Sequence, residues 1–164
     1  MKTRLRFSRQ MFTLVVLVLL AALGLAASSS GSVFKKGKYV DISNLEQLDD
    51  DVYVYSNKLA LNGEVTGDLT AFCYRVDLNG GVGQSANLFG RDISVKGRVI
   101  GSLRSFSQTL SVDGYVFRSI IGFGENISLN QGSVVEKDVT LYYSTADLAG
   151  TIRGSAKVNG GRVV

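Results

Sequence analysis

An aromatic side chain recurs at Tyr55, Phe72, Phe89, Phe106, Phe123 and Tyr142, at spacings of 17, 17, 17, 17 and 19 residues. Only 15 of the 164 residues are Phe or Tyr and none is Trp, so six in register mark a tandem repeat. Aliphatic columns run beside the rings. Three residues before each ring stand Val52, Leu69, Ala86, Leu103, Ile120 and Val139, continuing to Ala156. Four after it stand Leu59, Val76, Ile93, Leu110, Ile127 and Ala146, closing at Val163, and six after it Leu61, Leu78, Val95, Val112, Leu129 and Leu148. A further column reads Leu48, Val65, Val82, Val99, Val116, Val135 and Ile152, and glycine recurs at Gly63, Gly80, Gly97, Gly114 and Gly150. The unit is V-x-G-(D/S)-Φ-x-x-(F/Y)-x-x-x-Φ-x-Φ-x-G-x, with Φ aliphatic.

Apolar residues within a unit alternate with period two, the mark of strands, and no sustained helical period runs through residues 28–164. Short strands bounded by Gly, Asn, Asp and Ser at a fixed period predict an all-β fold, a single-stranded parallel β-helix with 17 residues per coil. Residues 48–164 then supply about six to seven coils stacked at about 4.8 Å, a rod about 30 Å long. Phe72, Val76 and Leu78 share parity, which predicts that Tyr55, Phe72, Phe89, Phe106, Phe123 and Tyr142 form an aromatic ladder in the core. The stretch Leu129 to Lys137 carries two extra residues, read as a bulged corner. The spacing leaves the hand of the helix open.

Charge confirms a division of the chain. Lys2, Arg4, Arg6 and Arg9 precede every acidic residue, which leaves 14 of the 18 basic residues to balance 14 acidic ones over residues 28–164. The basic excess therefore belongs to the leader and gives no reason to expect nucleic acid. After it comes the apolar run Met11–Ala26, broken only by Thr13, and then Ala27 and Ser28–Gly31. A positive start, an apolar middle and small residues at the end predict a signal peptide or an N-terminal membrane anchor over residues 1–27. Residues 28–47 are expected to form a linker and N-terminal cap, with Tyr39, Val40 and Ile42 as a partial coil. The rest of the chain is expected to be exported to the cell envelope.

The unit Val65-Thr66-Gly67-Asp68-Leu69-Thr70-Ala71-Phe72, followed by Val76-Asp77-Leu78-Asn79-Gly80, resembles the repeat of the bactofilins, and most closely their exported, polymer-forming relatives. Gly101-Ser102-Leu103 with Val112-Asp113-Gly114, and Gly154-Ser155-Ala156, keep the same cadence over about residues 48–164. The resemblance implies a right-handed β-helix without bound nucleotide that assembles end to end into filaments. The export leader departs from the cytoplasmic bactofilins.

Little in the sequence suggests catalysis. Histidine is absent and cysteine occurs once, as Cys73, so the usual neutral-pH base, a disulfide framework within the chain and a cysteine-built zinc site are all missing. No catalytic residue, metal or cofactor is expected. Asp51 and Asp68 share a column, with Asp50 beside the first, and could serve as the acid pair of a carbohydrate-active enzyme. The alternative places them at corners, where their oxygens accept backbone N–H bonds. Tyr74, Tyr115 and Tyr143 are expected to be scattered surface side chains. An open coil end is a template for another chain, so Ala156, Val158, Val163 and Val164 are expected to make an end-to-end contact with a second copy. The remaining partner classes are the membrane through the leader, cell-wall glycan and an envelope protein.

Overall fold

The computed structural model describes residues 31–163; the expected leader, residues 1–27, and Val164 lie outside the described residues. From Gly31 onward the chain forms a compact unit of its own. Long and short strands alternate: β1 (Val33–Ile42), β2 (Gln47–Leu48), β3 (Val52–Leu61), β4 (Glu64–Val65), β5 (Leu69–Leu78), β6 (Gly81–Val82), β7 (Ala86–Val95), β8 (Arg98–Val99), β9 (Leu103–Val112), β10 (Tyr115–Val116), β11 (Ile120–Leu129), β12 (Val134–Val135), β13 (Val139–Leu148), β14 (Thr151–Ile152) and β15 (Ala156–Val163). The long strands pair in parallel, each with the next, into an eight-stranded sheet, and the short ones form a seven-stranded sheet. The molecule is a parallel β-solenoid.

Superposition of like on like follows from the register. Leu69 pairs with Ala86, Phe72 with Phe89 and Val76 with Ile93, all 17 residues apart. Two steps are longer by two residues, from Val33 to Val52 and from Ile120 to Val139. The second lies at the expected corner. Asn130 to Ser133 separate β11 from β12, where the coil before has only Asp113 and Gly114, and Ser133 donates from both N and Oγ to the Asn130 carbonyl at 2.8 Å.

The first long step escaped the sequence columns. Residues 33–48 are not a linker with a partial cap but a complete coil, with β1 paired to β3 along its length. Residues 43–46 widen its corner, and Lys36 stands where later coils carry the ring. The solenoid therefore has eight long strands, one coil more than the six to seven expected.

Each long strand bends once. In β5, Leu69, Ala71 and Cys73 point inward, Tyr74 and Arg75 both face solvent, and Val76 and Leu78 point inward again. Two consecutive outward residues slip the alternation by one and turn the chain through a corner. The core is filled by Leu69, Leu88, Leu103, Leu110, Ile120 and their column mates in β3 to β13, with essentially no exposure.

That corner corrects the expected aromatic core. Tyr55, Phe72, Phe89, Phe106, Phe123 and Tyr142 share a column but lie on the outer face, with Phe72 and Phe106 each 49% exposed and Tyr55 59% exposed. Phe72 shares parity with Val76 and Leu78, but the bend at Tyr74 and Arg75 lies between them and reverses its side. The inward column lies one residue earlier, at Val54, Ala71, Leu88, Ser105, Gly122 and Leu141. With Ala, Ser and Gly in that column, the narrow interior has no room for stacked benzyl groups. Leu103→Ala is expected to cost about 2–5 kcal/mol by denaturant unfolding, because it opens a cavity in the core. Phe106→Ser removes only a half-exposed ring and its stacking, about 1–2 kcal/mol. Equal losses would contradict an outer ladder.

Candidate functional site

The acidic pair comes first, as the sequence's candidate for catalysis. Asp51 Oδ1 accepts the Asp68 backbone N–H at 2.8 Å, and Asp68 Oδ1 accepts that of Ser85 at 2.7 Å. Ser85 Oγ does the same for Ser102 at 3.3 Å, and Asp138 Oδ1 for Ser155 at 2.9 Å. Asp50 Oδ1 accepts the N–H of Asp51 at 2.8 Å. At these four positions the column is a ladder of corner bonds in which a side chain holds the next coil. Among the described residues no group of three or more His, Cys, Asp or Glu could hold a metal ion. Asp68→Ala is expected to cost about 1–2 kcal/mol by denaturant unfolding, and Asp68→Asn less, since an amide oxygen still accepts the bond. Equal costs would contradict the corner role.

The other candidates sort by exposure. Cys73 is buried and free, its sulfur 3.1 Å from Ser56 Oγ, and burial pushes its thiol above the ordinary cysteine value. It is a packed side chain with little thiolate character. Tyr115 donates to Glu136 Oε1 at 2.6 Å, a bond that holds its phenol above the usual tyrosine value. Tyr74 lies exposed beneath the Arg91 guanidinium, 5.3 Å from its ring centroid, and Tyr143 is half-buried against the core. These three tyrosines do not converge. A polar hollow of about 550 Å³ lies along the short strands, where Glu64 and Arg98 bridge two coils at 3.0 Å over Gly81. Among the described residues no buried side-chain polar atom lacks a partner.

Two surfaces remain. The first is the outer ladder. Phe72, Phe89, Phe106, Phe123 and Tyr142 stack in sequence with centroids 4.5–5.6 Å apart and planes within 9°. Their faces are turned toward each other, so the ribbon presents mostly ring edges.

The second surface is the end of the solenoid. In β13, Val139, Leu141 and Ala146 have no exposure because β15 covers them. Their column mates Ala156, Val158 and Val163 have nothing over them among the described residues, and Val158 and Val163 are 38% and 51% exposed. Of the expected contact set, Val164 alone is outside the described residues. β15 and β14 are edge strands, with one side of each unpaired.

The opposite end has different chemistry. Lys35 takes the position that Val54 and Ala71 occupy in the next coils, and its Nζ lies 2.6 Å from Glu46 Oε1 of the widened corner. An ion pair thus lies over the N-terminal end, while aliphatic side chains lie bare at the C-terminal end.

Compared with known proteins, the chain matches no family model, no curated protein and no solved structure.

Proposed function

We propose that this chain is a non-enzymatic structural protein of the bacterial cell envelope, a β-solenoid that joins copies of itself end to end. The observation that carries the proposal is the bare C-terminal coil, where core columns run out into solvent along an unpaired strand edge. The apolar rungs of β3 to β13 have a neighbouring coil on both sides, and a second copy laid on β15 would cover this one and add backbone hydrogen bonds along its edge. Two C-terminal ends match each other better than a C-terminal end matches an N-terminal one. The latter contact would lay Lys35 and its ion pair over Val158, and burying such a pair costs several kcal/mol per ion. Longer rods would then need the N-terminal ends to meet as well.

Kinship with the bactofilins is part of the proposal and rests on the repeat unit. Export rests on the leader residues 1–27. The test is the oligomeric state of the purified chain without its leader, by light scattering over a wide concentration range and by negative-stain microscopy. Assembly that grows with concentration supports the proposal, and a monomer at every concentration overturns it.

The outer ladder favours a second reading, an exported module for cell-wall glycan or an envelope protein. Retention on purified wall material by a chain that stays monomeric would favour it over the first. A polysaccharide-cleaving role has less support, since Asp50, Asp51 and Asp68 already hold backbone amides.

A further inference from the structure

We propose that the outer surface of the first two coils is a docking face for an anionic lipid surface. β1 and β3 bring four rings and three lysines, Lys36, Lys38 and Lys58, together there. Phe34 stacks on Tyr53 with centroids 6.4 Å apart, Lys36 Nζ lies 6.0 Å from the Tyr55 centroid, and Lys58 Nζ lies 5.8 Å from that of Tyr39. Phe34 is 73% exposed, and Tyr39 and Tyr55 are more than half exposed. Asp41, exposed near the end of β1, is the one acidic residue of β1 and β3. Lys35 and Lys58 are paired to Glu46 and Asp77, while Lys36 and Lys38 are exposed and have no ion-pair partner among the described residues.

The same surface is also hollow. Tyr55 does not continue the stack that begins at Phe72, and Phe34, Lys36, Tyr53, Val54, Tyr55 and Phe72 line an apolar cavity of about 260 Å³. An apolar hollow with an ammonium at its rim suits acyl methylenes below and a lipid phosphate above. Tyrosines beside lysines are the side chains that settle at headgroup depth. At the far end, the same columns hold Lys157, Asn159 and Gly161, with no ring. The feature therefore belongs to the end of the solenoid nearest in sequence to the apolar run Met11–Ala26, eight residues before Phe34.

The test uses the chain from Gly31, which forms a compact unit by itself. Co-sedimentation with phosphatidylcholine vesicles is compared with and without phosphatidylglycerol. Binding is expected only to the anionic vesicles, falling with added salt and about fivefold with each of Lys36→Ala and Lys38→Ala. Phe34→Trp is expected to shift its emission to the blue on those vesicles, and Asn159→Trp to show no shift. All four side chains are exposed, so circular dichroism should find each variant folded. Equal binding to neutral vesicles, no binding to anionic ones, or complete displacement by soluble polyphosphate without a blue shift would each overturn the proposal. A variant with a charged β15 should bind vesicles unchanged, which separates this result from that of end-to-end assembly.

Discussion

Gly97→Ala is expected to lower the melting temperature by about 10 °C or more, while Gly132→Ala leaves it nearly unchanged. No glycine among the described residues has positive φ, so the column Gly63, Gly80, Gly97 and Gly114 is not there for a left-handed turn. It is there because coils meet closely at this corner. A Cβ on Gly97 would fall on the Gly80 carbonyl oxygen, and 2.7 and 2.8 Å from the carbonyl atoms of Asn79. The Gly80 oxygen cannot retreat freely, since it accepts the N–H of Arg98 at 3.1 Å. Moving it would open the seam between two coils, which would cost about 3 kcal/mol or more. Gly132 sits in the corner widened by two residues, where the nearest atom to an added Cβ is the Asp113 oxygen at 3.5 Å. Thermal unfolding followed by circular dichroism compares the two variants directly. Equal shifts would refute close approach as the reason for the glycine column.

Val158→Lys with Val163→Lys is expected to raise the apparent dissociation constant for end-to-end assembly at least about a hundredfold and to leave the melting temperature of the monomer within a few degrees. Both valines are substantially exposed in one molecule, so lysines there can reach water. Across a paired end the same ammonium groups would be desolvated against aliphatic rungs, and neither β14 nor β15 contains an Asp or Glu to meet them. The joint rests on one coil and on the edge hydrogen bonds of β15, so assembly should be concentration-dependent. Light scattering reads the change in association, and a thermal melt of the same sample shows that the fold is intact. Unchanged assembly in the double variant would remove the C-terminal coil as the joining surface.

How much of this was legible in the sequence differs from residue to residue. Stacking of Phe72 on Phe89 and of Val76 on Ile93 follows from spacing, because a constant period repeated through parallel coils can only superimpose equal positions. The widened corner at Asn130–Ser133 was visible for the same reason, as two residues too many. The first coil was missed because it departs from the repeat twice, with Lys36 in the ring position and a long corner at residues 43–46. The Asp51 and Asp68 carboxylates could be narrowed to corner bonds or an acid pair, and the amide partners decide for the corner. The cluster of Phe34, Tyr39, Tyr53 and Tyr55 with Lys36 and Lys38 had no signature along the chain, since it forms only when two coils lie side by side.

The sequence by itself determined the solenoid, its period and its rungs, because periodicity is a property that a chain carries before it folds. Which side of the wall each rung occupies was decided by tertiary structure. One local bend, at residues such as Tyr74 and Arg75, reverses inside and outside for everything counted across it. A small-residue column at Ala71, Ser105 and Gly122 was the sequence's clue that the rings face out, but its meaning depends on the width of the space it has to fill.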